Sequence, residues 1–334
     1  GRFGRCKAMH CRDARYRADN DLQSVHICTE KKVSKMTKID IISGFLGAGK
    51  TTFAEAVAFA TKTISRMGRI DDGNTISDYD KEEIKRKFSI SASVIPIEWN
   101  GLKINILDAP GYFDFVGEVE EAISVADAAI IVVNCKAGIE VGTEKAWELC
   151  EEYNLPRLFF VTNMDDDQAS FRELILKLEK QFGRKIAPFQ VPIRENEKFV
   201  GFVNAVKMEG RRFTHLSEYE KCEIPEYTKK NLGIIRDALI EAVAETSEEY
   251  MERYFSGEEF TQEEISGALR AHVIEGDIVP VMMGSGINCQ GFKVLLQAID
   301  KYFPSPDHFE CIGVDVSTGE RFTAKYNDDV SLSA

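Results

Sequence analysis

Residues 44–52 read Gly-Phe-Leu-Gly-Ala-Gly-Lys-Thr-Thr, directly behind the apolar run Ile39-Asp40-Ile41-Ile42 and ahead of an Ala-rich stretch at 53–64. A strand, a Gly-x-x-x-x-Gly-Lys-Thr loop and a helix, in this order, restrict the chain more than any other feature. Glycines let the backbone wrap N–H groups around phosphates, and the helix that follows aims its positive N-terminus at them. The pattern gives phosphate contacts to Gly44, Gly47, Ala48, Gly49, Lys50, Thr51 and Thr52. Within it, Lys50 reaches the β- and γ-phosphates and the Thr51 hydroxyl ligates Mg²⁺. A glycine-rich turn alone would need neither the strand nor the helix. A nucleoside triphosphate is the expected ligand.

The 334 residues leave room for one α/β domain with an insertion, or for two smaller domains. A net charge of −13 argues against DNA and against tight non-specific nucleic-acid binding. No apolar run approaches the ~18 residues that a membrane-spanning helix needs, so no membrane partner is expected. Eight scattered cysteines without a C-x-x-C pair suit a reducing cytoplasm.

Residues 1–36 are basic and without period, and read as a disordered or vestigial segment. From residue 37 the pattern is α/β. Apolar segments at 93–98 and 102–107 flank Asn100-Gly101, a strong hairpin signal. Short continuous apolar runs at 128–133, 158–161 and 278–283 suit strands covered on both faces. Helices are expected at 143–153, 234–255, 261–275 and 292–302, with another at 170–182 opened by a capping box at Ser170 and Glu173. More than a hundred residues separate the last two predicted strands of this sheet, so an inserted subdomain is expected at about 187–275. The expected division is a nucleotide-binding domain over 37–304 and the truncated start of a second domain over 305–334.

Three segments behind predicted strands refine the chemistry, because open α/β sheets bind ligands at the carboxyl ends of their strands. Asp108-Ala109-Pro110-Gly111 can hold Mg²⁺ through Asp108 and sense the γ-phosphate through the Gly111 N–H. Thr162-Asn163-Met164-Asp165 places a carboxylate that can accept both the N1–H and the exocyclic amine of guanine, which selects GTP over ATP. Ser285-Gly286 can offer guanine O6 a backbone N–H. Ser89, behind the polar stretch 69–87, is the candidate hydroxyl that completes Mg²⁺ coordination in the GTP state.

These residues carry a resemblance. Residues 66–307 resemble the GTP-binding domain of bacterial translation elongation factor G, in its divergent second form. The likeness rests on the Asp-Ala-Pro-Gly-Tyr-Phe-Asp-Phe run from Asp108, the Phe-Val-Thr-Asn-Met-Asp run ending at Asp165, and residues 241–307. It implies an α/β fold of the P-loop GTPase type, mostly parallel with one antiparallel hairpin strand, and an inserted α+β subdomain. It further implies GTP/GDP and Mg²⁺ as cofactors, and the ribosome as partner at its GTPase centre and acidic stalk protein. By position, Lys50, Gly111 and Tyr112 take the catalytic places. Thr51, Ser89 and Asp108 take the metal, while Asn163, Asp165, Ser285 and Gly286 surround the base.

Three departures stand out. Tyr112 occupies the place of the family's water-orienting histidine, which implies slow hydrolysis, because a phenol does not readily become cationic. Thr162 and Asn163 replace the usual Asn-Lys pair, which implies looser packing on the base. Residues 38–52 instead resemble the loop of metal-chaperone GTPases, so the chain reads as a composite joined near 53–66. The alternatives are therefore a metal-chaperone GTPase or a GTP-binding fragment without catalysis. Lacking the factor's later domains, the chain is not expected to translocate alone.

Overall fold

The computed structural model describes residues 35–43, 49–305, 308, 311–314 and 320–324. Residues 1–34 of the proposed basic segment 1–36 and the loop residues Gly44, Gly47 and Ala48 lie outside them.

Strand β1 (Lys35–Ser43) leads to α1 (Lys50–Ala60), α2 (Lys81–Arg86), and the pair β2 (Ser93–Trp99) and β3 (Leu102–Asp108). There follow α3 (Val116–Val125), β4 (Ala128–Asn134), α4 (Val141–Glu152), β5 (Arg157–Thr162), α5 (Phe171–Phe182) and β6 (Ile186–Pro188). Next come β7 (Gln190–Glu195), β8 (Lys198–Asn204), β9 (Glu209–Phe213) and β10 (Tyr219–Cys222). Helices α6 (Glu226–Ala244), α7 (Glu248–Ser256) and α8 (Gln262–Glu275) lead back to β11 (Val279–Met283) and α9 (Phe292–Tyr302). A hairpin of β12 (Cys311–Val314) and β13 (Arg321–Ala324) comes last.

The main sheet has seven strands in the order β2-β3-β1-β4-β5-β11-β6. Only β2 and β3 pair antiparallel, and the turn between them puts Asn100 at φ 51 and Gly101 at φ 79. That is the left-handed pair a tight hairpin needs. Strands β4, β5 and β11 are buried almost throughout, because helices cover both faces, whereas edge strand β2 alternates buried and exposed. On one face, the rings of Phe53 (α1), Phe160 (β5) and Phe292 (α9) meet at centroid distances of 4.9, 5.2 and 5.4 Å. On the other, Trp147 and Phe182 stack around Phe159. The four strands β7–β10 form a separate antiparallel sheet.

Four local expectations change. Ile186–Pro188 adds a seventh strand at the sheet edge, where a proline with no N–H to donate is tolerated. The single helix expected at 234–255 is two. The Ser247 hydroxyl accepts from Tyr250 N and starts α7 afresh, while Thr246 turns its hydroxyl back to Val243 O. Ser170 precedes α5 but makes no capping bond, so the expected capping box does not form there. Lys35 and Met36, expected to belong to the disordered or vestigial segment 1–36, open β1 and pair with Leu102 and Lys103 of β3.

Candidate nucleotide-binding site

Strands β3, β1, β4, β5 and β11 run parallel, so the segments leaving their carboxyl ends share one rim. Gly49 closes the glycine-rich loop at φ 86 and opens α1, accepting from Phe53 N at 2.8 Å. Only glycine adopts that backbone freely, and it turns the first residues of α1 toward the rim. Lys50 Nζ donates to Ala109 O, which links the loop to the segment after β3. The Thr51 hydroxyl lies 3.4 Å from Ser89 Oγ and donates to Asp108 Oδ2 at 3.4 Å. Ser89 Oγ in turn donates to Asp78 Oδ1 at 2.6 Å.

Electrostatics at this cluster are unusual. Burial pushes the Asp108 carboxyl up to about 6, although the Lys50 ammonium pulls it down. Burial also raises Asp78, opposed by the hydrogen bond from Ser89. Asp108 Oδ1 is buried without a close hydrogen bond among the described residues, and the buried hydroxyls of Ser77 and Thr75 stand beside Asp108 and Asp78 and pull these carboxyls down. Two carboxylates and several hydroxyls, with one carboxylate oxygen unsatisfied, form the all-oxygen donor set that a hard divalent cation takes. The residues present therefore fit Mg²⁺.

The segments expected to read the base meet the same rim. A Cβ built on Gly49 would come within 3.9 Å of Thr162 Oγ1 and 4.0 Å of Asn163 Oδ1, so the loop after β5 stands beside the phosphate loop. Asn163 itself is left-handed at φ 58, and Asp165 is exposed. Gly284 N donates to Val161 O and Gly284 O accepts from Met164 N, which joins the loops after β5 and β11. Ser285 is fully buried, and Gly286 approaches Thr52 so closely that a Cβ there would lie 2.9 Å from Thr52 Cγ2. A recess of about 590 Å³ lined by Trp99, Lys293 and Asp300 lies instead toward the Asn100 turn, at the other end of the hairpin from Asp108. It has none of this chemistry.

Residues 35–305 match the family model of the elongation factor Tu GTP binding domain. The chain belongs to this family. Elongation factor G of Thermotoga petrophila is 35% identical over 305 residues, 90% of this chain and 44% of that protein. A crystal structure of a protein from Thermus thermophilus superposes with a TM-score of 0.77 at 34% identity, over 82% of this chain and 41% of that one. The chain thus spans less than half the length of either relative, and corresponds to a GTP-binding domain of the elongation factor family.

Within this elongation-factor domain, the structure places Thr51, Ser89 and Asp108 together, with Lys50 beside them, and sets Gly49 against the loop after β5 and Thr52 against the loop after β11. Gly111 is partly buried in the segment that follows Asp108. Tyr112 turns its ring onto Phe88, one residue before Ser89, at a centroid distance of 4.3 Å. The stretch between α1 and β2 is held down by buried carboxylates. Glu55 accepts from Gly68 N and Ile76 N, and Glu83 accepts from Ile90 N and Ser91 N. Sequence reasoning missed Asp78. Nothing in spacing separates it from Asp71, Asp72 or Asp80 in the same polar stretch; only its burial beside Ser89 does.

Proposed function

We propose that this chain is a GTP-operated switch that hydrolyses GTP, serving an elongation factor G-like protein of the divergent second form. The convergence of Thr51, Ser89 and Asp108 carries the reading, because a hydroxyl from the phosphate loop, one from the stretch before β2 and a carboxylate after β3 share one small volume. These three would hold Mg²⁺, which when bound neutralises charge on the β- and γ-phosphates. Lys50 binds the same phosphates, and the Gly111 N–H reports whether the γ-phosphate is present. Asp165 accepts the N1–H and amine of guanine, with Asn163, Ser285 and Gly286 enclosing the base. Intrinsic hydrolysis is slow, because Tyr112 packs on Phe88 and offers a phenol where the family places an imidazole.

The ribosome is the expected partner, at its GTPase centre and acidic stalk protein, in the cytoplasm; no helix among the described residues is long and apolar enough to cross a membrane. The nucleotide domain spans 37–304, with the insertion at about 187–275 carrying the second sheet. Residues 38–52 resemble the loop of metal-chaperone GTPases, but the elongation-factor match begins at residue 35 and takes this loop in, which supports the translational reading. GTP and ATP binding with Mg²⁺, followed by GTP turnover with and without purified ribosomes, tests it. Ribosome-stimulated turnover is the expected result. Turnover stimulated only by Co²⁺, Ni²⁺ or Zn²⁺, or GTP binding without turnover under any condition, overturns it.

A further inference from the structure

Strand β7 loses its regular register with β8 between Ile193 and Arg194, so that Ile193 faces Gly201 while Arg194 faces Phe199. An irregularity of this kind re-aims a side chain out of the ladder. The Arg194 guanidinium crosses from the second sheet to the loop after β5. There Nη2 donates to Met164 O at 2.8 Å and to Ala169 O at 3.2 Å, while Nη1 donates to Glu197 O at 2.7 Å. The Arg194 backbone is itself pinned by the Tyr227 hydroxyl of α6, which accepts from its N–H at 2.8 Å and donates to its carbonyl at 3.0 Å. A second tie reaches the neighbouring loop. Ser217, buried in the turn between β9 and β10, donates to Cys289 O at 2.7 Å, four residues beyond Ser285.

Both loops that the second sheet grips are the ones assigned to the base. The loop after β5 closes on itself through Asp166 N to Asn163 O and Ala169 N to Asp166 O, yet it leaves Asp165 exposed, and none of these bonds takes up Met164 O. A planar fork of donors suits the task of gathering several carbonyl oxygens, which a single ammonium does less well. Met164 O is one peptide away from Asp165, so the fork sets where that carboxylate stands. Hydrogen-bond energy falls steeply with misalignment, and a small displacement of the carboxylate would weaken both bonds to guanine.

We propose that the second sheet braces the base-reading loops, with Arg194 as a positioning residue for guanine selectivity and Ser217 as a positioning residue for the loop near O6, neither of them touching the nucleotide. The inference rests on the reading of Asp165 as the guanine acceptor. The test compares dissociation constants for GDP and IDP, since inosine keeps the N1–H but lacks the exocyclic amine. In Arg194→Ala, GDP binding should weaken about tenfold and IDP binding less, so that the GDP/IDP preference shrinks. Arg194→Lys should fall between this variant and the parent. Tyr227→Phe removes only a hydroxyl from an exposed side chain, and should shift the preference in the same direction by a smaller factor. Ser217→Ala, acting on the loop near O6, should weaken GDP and IDP alike. A lowered melting temperature with an unchanged GDP/IDP preference in the arginine variants would mean a purely structural tie and would overturn the brace. If Arg194→Ala does not fold, unchanged preference in both Arg194→Lys and Tyr227→Phe overturns it equally. Asp165→Asn with XDP and GDP separates the two layers. A switch toward XDP upholds the base reading even where the brace fails, and retained GDP preference sinks the reading itself.

Discussion

Burial pushes the Asp108 carboxyl from an ordinary 3.8 up to about 6, so its protonated form is favoured in the folded chain. The stability it contributes is fully present below pH 3.8 and is lost as pH rises through 6. At neutral pH without Mg²⁺ the chain therefore carries an ionised carboxylate in a dry site, a cost on the order of 2–3 kcal/mol. Asp108→Asn should raise the melting temperature in EDTA at pH 7.5, gain little near pH 4, and lose Mg²⁺-dependent nucleotide binding. Calorimetric melts at the two pH values check the sign, and a variant less stable at both contradicts it. Tyr112 makes a second prediction at this scale. Tyr112→His supplies a group that can orient water and become cationic, and single-turnover GTP hydrolysis should rise by about tenfold or more. A rate no faster than the parent's counts against the assignment.

Among the helices, the same sequence signal succeeds at one start and fails at another. At Thr261 the side chain caps Glu264 N and Glu264 reaches back to Thr261 N at 2.8 Å. At Ser170 the same spacing leads to no capping bond. Backbone geometry separates the two, since Thr261 stands at ψ 161 and Asp80, another working cap, at ψ 143, whereas Ser170 stands at ψ 92. All three residues are extended, and the larger ψ of Thr261 and Asp80 is what accompanies an oxygen swung over the first turn. Thr261→Ala should accordingly lower stability by about 1 kcal/mol and Ser170→Ala by much less, as measured by urea unfolding. Equal losses would show that the geometry at Ser170 is not what decides the cap.

At the scale of the molecule, Phe160 joins α1, β5 and α9, and so ties the phosphate helix to the helix behind the Ser285 loop. Phe160→Ala should cost about 3–5 kcal/mol in denaturant unfolding, since the close-packed rings of Phe53 and Phe292 leave a cavity that cannot collapse. A loss under about 1 kcal/mol would mean that the three-ring junction repacks freely. Much of this architecture was legible in the chain, because its signals are local: the glycine-rich loop between strand and helix, Asn100-Gly101 in the hairpin turn, and α9 at the residues its period marks. Adjacent positions report these features, and so candidates for holding phosphate, metal and base could be proposed from their places behind strands. Other features depend on which distant groups meet. Ser89 reaches Asp78 only once the stretch before β2 folds back under Glu55 and Glu83. Arg194 finds Met164, 30 residues earlier, through a slip in strand register, and Ser217 finds Cys289 across 72. A sequence determines local propensity and chemistry by spacing alone. Which carboxylate is dried and which carbonyl is gripped is decided by packing between elements far apart in the chain, and that information exists only in the folded structure.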